Sequence, residues 1–305
     1  MYCTRKLSAA RPASIWMRAL QAALFVFALL LSYSPLPSSS AQGAITGQWI
    51  IETRPGTDYI HLTVQRSSGR HTNFMSSVDV RRETLKGLLQ AQAASGGPVQ
   101  FQIVRDAGTL NCEGWFKDGK GSGHFTFAPN QGFAGEMRGL GYNNLSEEDL
   151  FTMTVVNLTV DFIRELGALG YERLALDDLM AMRIHGAGPE FIRELKSRGF
   201  DRLPVDDLVA MRIHGVTPDF MNEVESLGYK NVEIDDLVAM RIHGVSPEFI
   251  KSVEAQGYKR PPLDDLVAMR IHGVTPAFIQ KMRERGFKDI TIDQLIELKI
   301  HGFDR

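Results

Sequence analysis

Cysteine is nearly absent from this chain of 305 residues: only Cys3 and Cys112 occur. That excludes a disulfide scaffold and any cysteine-built metal cluster. Long apolar runs are missing as well. The longest, Ala19 to Leu31, is about 13 residues against the ~20 that a membrane-spanning helix needs. A basic excess is lacking, with 34 Lys and Arg against 36 Asp and Glu and a formal net charge of −2. From residue 143 to 305 there are 20 Lys and Arg against 28 Asp and Glu, a balance of −8, whereas phosphate recognition needs a basic face. Catalytic signatures are lacking too: no His-Glu-x-x-His, no Gly-x-Ser-x-Gly, no phosphate-binding Gly-Lys-Ser/Thr loop. His61, His71 and His124 stand near Asp106 and Glu113 in a β-rich stretch, but no nucleophile is spaced to join them.

The first 41 residues carry Arg5, Lys6, Arg11 and Arg18, no acid, the short apolar run, and then Ser39-Ser40-Ala41. This pattern predicts a secretory signal cleaved after Ala41, with an uncleaved N-terminal membrane anchor as the alternative. Cleavage would shift the formal charge to −6 and leave Cys112 as the one cysteine, either a buried apolar thiol or an exposed reactive one. The expected location is periplasmic or secreted.

Residues 42–130 read as short alternating runs: Gln48–Thr53, Tyr59–Arg66, Thr72–Val80, Val99–Arg105, Thr109–Phe116 and Gly123–Phe127. Side chains two apart share a strand face, so Leu110, Cys112, Gly114 and Phe116 line one side. Lys117-Asp118-Gly119-Lys120 is a hairpin signal. A short helix is expected within Arg82–Ala94. Together these predict a small antiparallel β sandwich or partly open barrel.

What dominates the rest is a repeat of 29 residues. His-Gly pairs recur at His185, His214, His243, His272 and His301, and the phase extends to Phe133, Phe162, Phe191, Phe220, Phe249 and Phe278 and to a Gly-Tyr or Gly-Phe pair in every unit. Such a period marks a stacked array, here residues 131–305. Asp206–Val216, Asp235–Val245 and Asp264–Val274 are identical, whereas the first copy has Val156-Asn157 in place of His-Gly. Within a unit, Val205, Leu208, Val209, Arg212 and Ile213 have the spacing of one helix face, and Gly215 is its C-cap. Thr217 then caps a second helix that begins with Pro218 and Asp219, buries Phe220, Met221, Val224 and Leu227, and ends at Gly228. Thr291 and Gln294 stand in capping-box spacing. The fold class is therefore α+β and multidomain: an antiparallel β domain followed by an α-solenoid of helical hairpins.

Two ladders in the array are candidate functional positions. Arg183, Arg212, Arg241 and Arg270, with Lys299 in the last unit and Thr154 in the first, place a charge within the apolar stripe. Such a charge must pair or snorkel. These arginines either bridge stacked units, through a neighbour's Asp178, Asp207, Asp236 or Asp265 or through exposed helix carbonyls, or grip carboxylates of a partner. His185, His214, His243 and His272 lie opposite the stripe at helix C-termini, where a cation is favoured. Helices packed ~8–10 Å apart bring at most two of them to one ion, so capping and surface packing are expected, with a pH-sensitive interface as the alternative. No cofactor is expected.

The run Met211 to Pro218 also looks like the loop of helix-hairpin-helix modules, but the acidic balance argues against nucleic acid. The unit Asp-Asp-Leu-Val-Ala-Met-Arg-Ile-His-Gly-Val-Thr-Pro resembles helical repeats that follow the protease domain in bacterial antirepressor-type membrane metallopeptidases linked to β-lactam sensing, and that occur in stand-alone secreted proteins. The resemblance spans about residues 131–302. This chain lacks the zinc motif and the membrane spans of those peptidases, so their activity is not implied. What the resemblance implies is a cell-envelope module. Both readings converge on a non-enzymatic extracytoplasmic protein that binds a protein or peptide through the array, or else an accessory subunit of an envelope peptidase sensor.

Overall fold

The computed structural model describes residues 44–54, 56–68, 72–88 and 96–303. The expected signal segment and its cleavage site lie outside the described residues. Seven strands, β1 (Thr46–Thr53), β2 (Tyr59–Ser68), β3 (Thr72–Arg81), β4 (Leu85–Lys86), β5 (Gly97–Val104), β6 (Gly108–Lys117) and β7 (Lys120–Pro129), form one antiparallel sheet in the order β3-β2-β1-β7-β6-β5-β4. The sheet curls into a half-barrel. Six of the strands are those read from alternation. Within Arg82–Ala94 a 3-10 turn, Arg82–Thr84, leads into β4, and the remainder of the stretch expected to hold a short helix, residues 89–94, lies outside the described residues. The turn before β7 is formed by Asp118 and Gly119, both at positive φ, the geometry that matches strand twist.

Curling follows from glycines set beneath aromatic rings. Gly123 faces Gly114 across β6 and β7, and Trp49 lies over both, its indole Nε1 donating to the Glu113 and His124 carbonyls at 3.2 and 3.1 Å. A Cβ on Gly114 would meet the Ser122 carbonyl oxygen at 2.2 Å and the Trp49 ring at 2.7 Å, so any larger residue there would push the strands apart. Gly47 opposite Phe125 and Gly121 opposite Phe116 repeat the pairing. The inner face is apolar, with Trp49, Ile51, Leu62, Phe101, Leu110, Cys112 and Phe116 all buried.

Twelve helices follow among the described residues: α1 (Gln131–Gly139), α2 (Glu147–Val156), α3 (Val160–Ala168), α4 (Leu176–His185), α5 (Pro189–Ser197), α6 (Val205–His214), α7 (Pro218–Ser226), α8 (Ile234–His243), α9 (Pro247–Ala255), α10 (Leu263–Ile271), α11 (Pro276–Glu284) and α12 (Ile292–Ile300). The even-numbered helices are the first of each unit, and from α2 to α12 each packs on the next. Their caps are those the sequence specifies. Thr217, Ser246 and Thr275 each accept the backbone N–H three residues on, ahead of a proline at the first helical position. Thr291 and Gln294 form a capping box. Gly215 closes α6 in the left-handed region at φ 70°. In the first unit Asn157 takes that role at φ 56°, asparagine being the side chain best suited to left-handed backbone after glycine. Phe151 of α2 stacks on Phe125 with centroids 5.7 Å apart and meets Phe74 and Phe127 edge-on, joining array and sheet in one continuous core.

Candidate functional site

The burial of the first helices differs from the single stripe read in sequence. Leu208 and Met211 are fully buried, Val205 and Val209 half-buried, and Arg212 and Ile213 face outward. These helices are flanked by a neighbour on each side and backed by the second helices, so apolar residues are needed round most of the circumference. A wheel then admits more than one stripe, and Met211 rather than Ile213 fills the core.

Each arginine reaches back to the preceding unit. Arg212 Nε donates to the His185 carbonyl at 3.4 Å, Arg241 to His214 at 3.2 Å and Arg270 to His243 at 3.2 Å. Arg183 does the same to Asn157 at 2.9 Å. The acceptors are the last carbonyls of the preceding first helix, which have no partner within the helix and carry its negative dipole end. The guanidinium groups of Arg183, Arg212, Arg241 and Arg270 lie 5.5, 5.1, 5.0 and 5.0 Å over the rings of Phe162, Phe191, Phe220 and Phe249. Lys299 keeps the ring contact, its Nζ 4.9 Å from the centroid of Phe278. Thr154, at the same position in the first unit, has no preceding helix end to reach. It is buried and returns its hydroxyl to the Leu150 carbonyl at 2.7 Å.

The glycine after each histidine leaves room for this contact. A Cβ on Gly186, Gly215 or Gly244 would stand 3.1, 3.0 or 2.9 Å from an Nη2 of Arg212, Arg241 or Arg270. The repeating His-Gly pair thus contributes a backbone carbonyl and an empty space. The imidazoles of His185, His214, His243 and His272 are exposed. Among the described residues no three His, Cys, Asp or Glu converge as metal ligands would.

The Asp pairs form a ladder of their own. Partial burial, with Asp235 and Asp206 nearby, pushes the Asp207 carboxyl up from the usual carboxylate range; burial, Asp293 and Asp264 do the same to Asp265. The neighbouring charges that raise Asp207 and Asp265 are aspartates, while Arg212, Arg241 and Arg270 donate to helix carbonyls. The equivalent Asp178 and Asp236 occupy the same first-turn position in α4 and α8. A third ladder, of tyrosines, runs forward along the chain. Tyr142, Tyr171, Tyr229 and Tyr258 donate their hydroxyls to the carbonyls of Leu174, Leu203, Pro261 and Ile290 at 3.0, 2.8, 2.7 and 2.6 Å. Phe200 interrupts it.

With arginines and tyrosines used between units, the large apolar side chains left projecting from the first-helix row are isoleucines. Ile184, Ile213, Ile242, Ile271 and Ile300 are 52–59% exposed. One occurs at the last turn of each of α4, α6, α8, α10 and α12, and in the internal units it lies above a half-buried Val209–Ala210 pair or its equivalent. With packed helices ~8–10 Å apart, these side chains make an apolar rail along successive units. On each helix the arginine and the histidine flank the isoleucine on either side, and an acidic first turn lies toward the other end. The sequence showed the period of these residues, but only the helix rotation shows that they face solvent. Comparison with known proteins finds no matching family model, no matching curated protein and no matching solved structure.

Proposed function

We propose that this chain is a non-enzymatic extracytoplasmic interaction protein whose helical array docks a protein or peptide along the isoleucine rail. The observation that carries the reading is the exposure of Ile184, Ile213, Ile242, Ile271 and Ile300 in one row. Isolated exposed apolar residues are ordinary, whereas a contiguous row is the usual mark of an interface. Duplication alone does not account for it. The last unit replaces Asp265, Val267, Ala268, Met269 and Arg270 by Gln294, Ile296, Glu297, Leu298 and Lys299, yet Ile300 remains isoleucine. The resemblance of the unit to repeats appended to envelope metallopeptidases supports a partner in the same compartment. Retention of envelope proteins on the immobilised chain tests the reading, compared with an Ile213→Asn/Ile242→Asn variant. A protein retained by the parent and released by the variant, at unchanged helix content, is the expected result. Identical retention by both would refute it.

A further inference from the structure

The outer face of the sheet holds a second surface, independent of the array. One transverse row of side chains there reads Gln65, Gln48, His124, Glu113 and Gln100 across β2, β1, β7, β6 and β5, each opposite the next. In the adjoining row Asn111 faces Gln102. Two depressions, of about 480 and 930 Å³, follow these rows and share His124 and Thr126, so they form one groove across the strands. At the usual strand spacing of ~4.8 Å, Gln65 to Gln100 spans about 19 Å.

The groove is dense in amides, and its charged members, Lys86, Glu113 and Arg66, are single and nearly balance. Gln65 Nε2 donates to Gln48 Oε1 at 2.7 Å, and Gln102 Nε2 donates to Asn111 Oδ1 at 2.7 Å. Each cross-strand bond orders both side chains and consumes one N–H and one lone pair, which leaves an amide oxygen at one end of the pair and an NH₂ at the other. Two residues along β6 from Glu113, on the same face, Trp115 stands 57% exposed, opposite Ser122 and Pro98. An indole is costly to leave in water and offers a flat apolar face.

Ordered donors and acceptors in alternation, little net charge and a flanking aromatic plate match one ligand chemistry. Sugar hydroxyls donate and accept at once, and the C–H face of a pyranose is apolar and flat. Phosphates and sulfated chains call for clustered Arg and Lys, which this face lacks. We infer that the groove across β2, β1, β7, β6 and β5 binds a neutral oligosaccharide, with the paired amides bonding its hydroxyls and Trp115 stacking on one ring.

The test is titration of the full chain with chitotetraose, cellotetraose and maltotetraose, and with a heparin tetrasaccharide as the charged comparator, read by calorimetry and tryptophan fluorescence. At least one neutral probe is expected to bind saturably and shift the emission. Trp115→Ala and Gln102→Ala should each weaken it roughly tenfold or more, Trp115→Phe should retain most of the affinity, and Ile213→Asn should leave it unchanged. Should Trp115→Ala fail to fold by circular dichroism, Gln100→Ala, at an exposed position, carries the same test. No neutral binding at millimolar concentration, binding indifferent to these variants, or binding of the heparin probe alone would overturn the inference.

Discussion

Arg241 donates its Nε–H to the backbone carbonyl of His214 at 3.2 Å, placing a cation on the exposed negative end of the preceding helix. With Phe220 under its guanidinium at 5.0 Å, one side chain joins two units through a hydrogen bond and a ring. Arg241 is exposed, so this bridge is worth less than a buried ion pair. Arg241→Ala should destabilise the array by on the order of 1–2 kcal/mol. Arg241→Lys should recover part of that loss, since Lys299 shows that an ammonium keeps the ring contact. Thermal or urea unfolding of both variants measures this; equal stability of Arg241→Ala and parent would remove the bridge from the account.

Gly244 has two reasons to be glycine. Its φ is 72°, and a Cβ there would crowd Arg270 Nη2 at 2.9 Å. Gly244→Ala should cost about 1–2 kcal/mol from backbone strain alone, and more through the displaced arginine. In a double-mutant cycle with Arg270→Ala, the cost of Gly244→Ala should therefore fall. Strictly additive losses would show that the arginine does not need the space.

Phe200 stands where Tyr171 and Tyr229 bond the next unit, and Val232 occupies the acceptor position. A cavity of about 270 Å³ adjoins both residues. Phe200→Tyr should stabilise by about 0.5–1.5 kcal/mol, the net yield of one hydrogen bond. A melting temperature no higher than the parent's would deny that the tyrosine ladder stabilises stacking.

Cys112 lies on the apolar face of β6, and burial pushes its thiol up to about 12. The folded value lies above the unfolded one of ~8.5. The thiol's contribution is thus complete below ~8.5 and declines as pH climbs toward the folded value. Native protein at pH 8 should resist iodoacetamide and react only once unfolded by urea. Rapid stoichiometric labelling of the native state would place the thiol at the surface.

Local chemistry was legible wherever one residue type satisfies one backbone demand. Thr217, Pro218, Gly215 and the Thr291–Gln294 box mark helix ends because caps and left-handed turns admit few side chains. Six strands were legible because alternation reports a half-buried sheet directly. The rotation of the first helices was not. Val205, Leu208, Val209, Met211 and Ile213 leave the wheel nearly uniform, and stacking selects Leu208 and Met211 for the core. For Arg212 the sequence left a neighbour's aspartate and an exposed helix carbonyl both open, and the His185 carbonyl is the acceptor of its Nε–H. The tyrosine ladder joins residues 32 apart through a main-chain acceptor, which leaves no mark in the residue types. Of the stretch Arg82–Ala94, where one short helix was expected, the described part holds a 3-10 turn and then Leu85, which completes the sheet edge opposite Ile103.

The central claim is that the isoleucine rail is a docking surface. Its most direct test places a photo-crosslinking amino acid in turn at Ile184, Ile213, Ile242 and Ile271, and at Glu223 on the second-helix layer, then irradiates the chain in envelope extract. The account predicts adducts to the same partner from the rail positions, none from Glu223, and loss of the Ile213 adduct when Ile242 is asparagine. Adducts of equal yield from Glu223, or none from any rail position, would contradict it.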